Sequence, residues 1–217
     1  MNNKVIGIIS YLPDNTEIRQ NRFSKLLKLI DTCNKIFDLP IYIVIQNYTN
    51  KEILYLVDYK NVELSENYNR LGIVGARKKL RESFLSSEYD YLIMLDDDCE
   101  LFGDRLSGIE YLKQIDDNPN KFYEFNKTLL KLFAISKEIF KLEDFEDINP
   151  ENGDGFEDRV FVNKLREKYS DKLYVFNKVN LKESSISTKD KYSTWYTNQD
   201  LKRMLDNTYN CIEKYKN

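Results

Sequence analysis

Three consecutive carboxylates end the segment Tyr91-Leu92-Ile93-Met94-Leu95-Asp96-Asp97-Asp98. Like charges crowded this closely repel unless something neutralises them. A hard divalent cation with oxygen ligands does so, and Mg2+ or Mn2+ held in this way bridges to phosphate oxygens. A solvated acidic turn capping a helix would use the same residues with no metal. Earlier in the chain, Arg70-Leu71-Gly72-Ile73-Val74-Gly75-Ala76-Arg77-Lys78-Lys79 sets small residues at a helix start, where a ligand can approach and anions are favoured. Arg77 adds a planar guanidinium suited to a phosphate or a nucleobase edge. The plainer reading is an amphipathic helix with a basic outer face. Later, Gly153-Asp154-Gly155-Phe156-Glu157-Asp158-Arg159 puts two acids at another helix start. Capping and the helix dipole account for one of them. A second, turned into a cleft, would serve as a general base.

Composition limits the chemistry further. The 217 residues contain no histidine, which excludes a Ser-His-Asp triad, a Cys-His dyad and His-ligated zinc or haem. Cys33, Cys99 and Cys211 lie far apart without a CxxC spacing, as expected of ordinary thiols in a reducing compartment. No signal-peptide core and no apolar run near the roughly 20 residues of a membrane span are present, so a soluble cytoplasmic protein is expected. Lys+Arg 33 against Asp+Glu 36 gives 33 − 36 = −3, a balance with no general attraction for nucleic acid. Charge is uneven along the chain. Arg70 to Arg81 carries five basic residues and no acid, while Glu143 to Asp158 carries eight acids and no base. A site drawing on both would pair an anion-binding rim with a carboxylate-rich one. The lysines of Lys121–Lys141 read as a solvated face.

The elements that position these residues follow from apolar periodicity. Val5–Ile9, Ile41–Ile45 and Tyr91–Leu95 are unbroken apolar runs of the kind buried on both faces of a parallel sheet. Between the first two, Glu17–Asp38 carries Phe23, Leu26, Leu27, Ile30, Cys33 and Phe37 at helical spacing. Lys51–Val57, Ile73–Ser86, Gly103–Asp116, Gly155–Lys168 and a closing Asn198–Lys214 read as helices; Thr128–Ser136 and Leu173–Val179 read as strands. The alternation predicts an α/β fold: a mainly parallel central sheet flanked by helices, in a single domain over residues 1–217. Phe145–Gly155 is a loop within it.

Taken in order, these segments resemble the GT-A-fold nucleotide-sugar glycosyltransferases, family 2 in particular. Val5–Tyr11 resembles the family's first strand and turn, Gly72-Ile73-Val74-Gly75-Ala76-Arg77 its Gly-x-x-x-Ala-Arg segment, Asp96-Asp97-Asp98 its Asp-x-Asp motif, and Glu157-Asp158 its later Glu-Asp motif. The likeness runs from about Val5 to Arg166. It implies a metal-dependent transfer of sugar from a nucleotide diphosphate sugar, UDP-sugar favoured, to an acceptor hydroxyl with inversion. Residues 1–100 would bind the donor and residues 101–217 the acceptor: a glycan, a lipid-linked sugar, a protein or a modified nucleobase. Ser10, Tyr11, Gln46, Asn69 and Arg77 would line the nucleotide pocket. Asp96 and Asp97 would face the donor, Asp96 and Asp98 would hold Mn2+ or Mg2+, and Asp158 would be the base. Glu157 would orient the acceptor and Trp195 would stack on a sugar, although Trp195 suits core packing equally well.

The chain departs from the family at three places. Gln46 stands where many members have an aspartate for uracil, Arg70 (beside Asn69) stands where they have an asparagine, and no C-terminal histidine ligand exists. Two other functions share these features: a sugar nucleotidyltransferase, and a non-catalytic domain that binds sugar nucleotide or glycan. The nucleotidyltransferase would call for a Gly-rich basic loop after the first strand, and Ser10–Arg22 has no glycine.

Overall fold

The computed structural model describes residues 3–67, 71–125, 131–146, 157–176 and 179–185. Within them the first half alternates strand and helix. The order is β1 (Lys4–Tyr11), α1 (Thr16–Ile36), β2 (Ile41–Gln46), α2 (Asn50–Val57), β3 (Val62–Asn67), α3 (Gly72–Ser86) and β4 (Tyr91–Asp96). The second half contributes β5 (Cys99–Phe102), α4 (Arg105–Asp117), β6 (Phe122–Glu124), β7 (Phe133–Ser136), α5 (Lys137–Phe140), α6 (Glu157–Lys168), β8 (Leu173–Val175) and β9 (Lys182–Ser185).

Both halves join one seven-stranded sheet in the order β3-β2-β1-β4-β7-β6-β8, and β5 pairs with β9 in a separate ribbon. Strands β3, β2, β1 and β4 are mutually parallel; β7 runs antiparallel to β4. The chain leaves β1 toward β2 on one side and returns to β4 on the other, so the order reverses at β1. In open α/β sheets ligands bind outside the carboxyl ends of the strands at such a switch point.

Alternate residues of the central strands feed two cores, which is why these strands read as continuous apolar runs. Ile6, Ile8, Ile43, Ile93 and Leu95 pack with α1 and α4, while Val5, Ile9, Val44, Leu92 and Met94 pack with α3, α5 and α6. A Cβ on Gly7 would stand 2.7 Å from Leu92 Cδ1 and 2.9 Å from Leu80 Cδ1, so the missing side chain sets how closely α3 lies on the sheet. Helix starts are capped as their sequences suggest: Asn15 caps α1, Thr49 and Glu52 form a reciprocal capping box on α2, and Asp104 caps α4.

The expected helices over Glu17–Asp38, Lys51–Val57, Ile73–Ser86, Gly103–Asp116 and Gly155–Lys168 are present with shifts of a few residues at their ends. Three corrections follow. The Thr128–Ser136 strand starts at Phe133 among the described residues, the Leu173–Val179 strand stops at Val175, and β3, β5, β6, β9 and the short helix α5 are additional elements. Strand β3 lies at the sheet edge with none of its residues fully buried and Glu63 and Glu66 exposed, so Val62–Asn67 lacks the apolar run of its neighbours. The closing helix expected over Asn198–Lys214 lies outside the described residues. No described helix is long and apolar enough to cross a membrane. Cys33 and Cys99 are buried thiols.

Candidate functional site

The carboxyl ends of β1, β2 and β4 form one edge: register places Tyr11 beside Gln46 and Ile9 beside Asp96. At that edge the three consecutive aspartates face three different partners. Asp96 Oδ1 accepts a hydrogen bond from Arg77 Nη2 at 2.9 Å. Asp97 turns inward, where Ser10 Oγ donates to its Oδ2 at 2.6 Å. The Ser10 hydroxyl has one proton, so Tyr48, 2.7 Å away, must donate to Ser10 and complete a chain Tyr48–Ser10–Asp97. Asp98 is half-buried, with the Lys131 ammonium 3.7 Å from Oδ1.

Burial holds the Asp97 carboxyl above the usual range, against the opposing pull of Arg22 and the Ser10 hydrogen bond. Burial, then the like charge of Asp96, pushes Asp98 up to about 6 while Lys131 works the other way. The Tyr48 phenol is also pushed up, by burial and then by Asp97.

Arg77 is the hub on the other side. It is 2% exposed, and Nε donates to Glu157 Oε1 at 2.8 Å while Nη2 holds Asp96. Burial alone would lower its pKa, but Asp96, Glu157 and Asp158 together raise it, so the guanidinium stays charged. Arg77 and Glu157, both expected to face a ligand, thus face each other across α3 and the start of α6. The basic and acidic runs of the sequence meet in the same way further along: Arg81 approaches Asp144 at 3.7 Å and its Nε donates to the Phe140 and Glu143 carbonyls. Asp158, next to Glu157 on the first turn of α6, is pushed up to about 6 by burial and by Glu157, against the pull of Arg77. A carboxyl in that range is ionised at neutral pH and still basic enough to take a proton.

Gln46 closes β2 and is fully buried. Its Oε1 accepts from the Leu71 N–H at 2.6 Å, just before Gly72 opens α3 with φ 69°. That bond identifies the oxygen and fixes Nε2 as the outstanding donor. Among the described residues, the buried polar atoms at this edge without a hydrogen-bond partner include Gln46 Nε2, Arg77 Nη1 and Asp98 Oδ1. Buried polar groups are nearly always paired, so such a set at one edge requires an explanation.

A divalent cation fits the donor set only as a site with few protein ligands. Asp98 offers a buried oxygen that accepts no hydrogen bond from the described residues, and Asp96 has one oxygen engaged by Arg77. Among the described residues no group of three or more His, Cys, Asp or Glu side chains converges on a metal position. Two carboxylates with donor phosphates and water match the way Mg2+ is usually held. Strand β9 lies along β5, with Cys99 opposite Ser185, which brings the 182–185 backbone close behind Asp98.

Asn69 and Trp195 lie outside the described residues. Arg22, Tyr48 and Lys131 also belong to the site, through Asp97 and Asp98, Ser10, and Asp98 respectively. A charged or phenolic residue on an amphipathic helix or in a loop has no spacing signal that aims it at a carboxylate. Lys131 also corrects the reading of Lys121–Lys141 as one solvated face, since Lys137 donates to the Ser87 carbonyl and Lys121 to the Asp171 carbonyl. A cavity of about 310 Å3 among Tyr42, Ser83, Ser87 and Tyr89 lies toward the opposite end of the strands and contains none of the candidate residues.

No family model matches the sequence, and no curated protein matches it. The fold does match solved structures. S. aureus TarS 1–349 superposes with a TM-score of 0.60 at 13% identity over 81% of this chain, and that structure has also been solved with UDP and with UDP-GlcNAc. The chain spans 58% of that fragment and 35% of the longer TarS chain. A chain from Desulfovibrio desulfuricans assigned as a nucleotide-diphospho-sugar transferase matches with a TM-score of 0.53 at 8% identity, covering 81% of this chain and 80% of that one. One from Bacillus anthracis assigned as a glucose-1-phosphate thymidylyltransferase matches with a TM-score of 0.52 at 10% identity, covering 93% of both. These likenesses, with the strand order and the site at its switch point, show that the chain has the GT-A-like fold of nucleotide-sugar transferases.

Proposed function

We propose that the protein transfers a sugar from a nucleotide diphosphate sugar, UDP-sugar favoured, to an acceptor hydroxyl, and that Asp158 takes the acceptor proton. The observation that carries this reading is the set of buried atoms at the switch point with no hydrogen-bond partner among the described residues: two donors, Gln46 Nε2 and Arg77 Nη1, and one carboxylate oxygen of Asp98. A ligand with carbonyl and phosphate oxygens, accompanied by a cation, satisfies all three. The bound UDP and UDP-GlcNAc of the TarS structures support a donor of this class.

Gln46 Nε2 would donate to a base carbonyl where the family's aspartate would accept from a base N–H. Asp96 and Asp98 would hold Mn2+ or Mg2+. Such an ion offsets diphosphate charge as the leaving group departs. The protein's own residues do the rest. The chain Tyr48–Ser10–Asp97 locks the turn after β4, so that Asp96 and Asp98 are displayed while Asp97 is held inside. Arg77 ties Asp96 to Glu157 and so sets Asp158 at the mouth of the same edge. As the acceptor oxygen attacks the anomeric carbon, its proton passes to the Asp158 carboxylate and the bond to the diphosphate oxygen breaks. Attack opposite the leaving group inverts the anomeric centre. A positioned base of this kind gives about 10²–10⁴-fold in rate.

Nucleotidyl transfer is the second reading, favoured by the match that covers most of both chains. The β1–α1 connection argues against it: Leu12–Asn15 holds no glycine and is strapped by Arg19 to the Pro13 and Asn47 carbonyls. Release of UDP from UDP-sugars in the presence of Mn2+ supports sugar transfer. Release of pyrophosphate from a nucleoside triphosphate with a sugar phosphate would support the second reading, and binding with neither release would point to a non-catalytic domain.

A further inference from the structure

Lys131 occupies a position that the reaction above does not explain. Its ammonium, mostly buried, lies 3.7 Å from the Asp98 oxygen that accepts no hydrogen bond among the described residues. The distance makes the contact ionic. The sheet brings the two together: β7 runs antiparallel to β4 with Phe133 opposite Met94, so the residues before β7 lie beside those after β4. The backbone presenting the lysine is strained. Leu132 has φ 54°, a left-handed conformation that a bulky side chain disfavours and that clusters at functional sites when surrounding structure enforces it. Here the enforcement is visible: Leu132 is fully buried, and its carbonyl accepts from the Tyr111 hydroxyl at 2.7 Å. Arg22 and Lys131 both act electrostatically on Asp98, so a divalent ion arriving alone meets positive charge already in place.

We propose that Lys131 is a tethered counter-cation of the donor site, which pairs with Asp98 while no donor is bound, yields that carboxylate to a divalent ion, and then pairs with the donor diphosphate. The proposal rests on the donor reading above. A lysine suits the exchange because its compact charge rides on a flexible four-carbon stem. The consequence is ordered assembly: metal binds weakly without nucleotide and more tightly with it, and by linkage the converse holds.

The test is calorimetric titration of Mn2+ alone, and of UDP at saturating Mn2+, into the wild-type chain, Lys131→Met and Lys131→Arg. Lys131→Met should bind Mn2+ alone about fivefold more tightly and UDP about fivefold more weakly, the size expected of a partly exposed ion pair. Lys131→Arg should stay near wild type in both. This reversal of sign is not produced by a lysine that merely solubilises the surface. Equal Mn2+ affinity in the wild type and Lys131→Met overturns the competition, and equal UDP affinity overturns the handover. If no variant binds Mn2+ or UDP, the donor reading itself fails.

Discussion

Removing the Arg77 cation should unbalance a buried pair, and the structure fixes how severely. Arg77 and Glu157 are each 2% exposed and joined at 2.8 Å, so in Arg77→Met the Glu157 carboxylate stays buried with its guanidinium gone. Breaking a buried pair from one side costs about 3–5 kcal/mol. Asp96, the other partner, is 24% exposed on its side chain and adds little once solvent screens it. In a chain of this size each kcal/mol moves Tm by about 2–4 °C, so Arg77→Met should melt about 6–20 °C below wild type. Thermal unfolding followed by circular dichroism at pH 7 reads this directly. Neutralising the stranded acid should undo much of the damage, with Arg77→Met/Glu157→Gln recovering at least half of the loss, as coupled neighbours do. A drop below about 3 °C, or a double variant no more stable than the single one, would refute the buried pair as the link between α3 and α6.

Other outcomes follow from the same geometry. Asp158→Asn should lower transfer by about 10²–10⁴-fold with donor binding intact, and wild-type turnover should fall on the acid side with a midpoint near pH 6. A carboxyl pKa raised by folding stabilises the protein below its unfolded value of 3.8, and that contribution is lost as pH rises through about 6. Asp158→Asn should therefore gain about 1 kcal/mol at pH 7, allowing for its partial exposure, and nothing at pH 4 in urea denaturation. Chelation with EDTA should abolish donor turnover, and either Mn2+ or Mg2+ should restore it; turnover indifferent to EDTA would remove the cation from the account. Gly108→Ala should destabilise by about 1–3 kcal/mol, because its Cβ would stand 2.1 Å from the Ile36 carbonyl oxygen where α4 meets α1, and a wild-type urea midpoint would contradict that close approach.

The central strands were legible because burial on both faces leaves an apolar run, and the Asp96–Asp98 triplet was legible because it ends one. Strand β3 was not, since an edge position tolerates the polar Val62–Asn67. Along the sequence the site is a set of residue types in order, with no orientations. Arg77 and Glu157 appear in the sequence as separate ligand-facing charges, and only packing of α6 against α3 turns them toward each other. Asp97 looks identical to its neighbours along the chain, and the inward hydroxyls of Ser10 and Tyr48 single it out. Lys131 was hidden for the same reason, because its place depends on the antiparallel arrival of β7 at β4.

The proposed sugar transfer requires the carboxyl edge of the sheet to be a nucleotide diphosphate site. Calorimetric titration of UDP with Mn2+ into wild type, Asp98→Ala and Glu63→Ala tests it most directly, since Glu63 borders the cavity at the other end of the strands. Saturable one-to-one binding to wild type and Glu63→Ala is expected, and its loss in Asp98→Ala. Binding that survives Asp98→Ala, or that disappears in Glu63→Ala, would contradict that placement of the site.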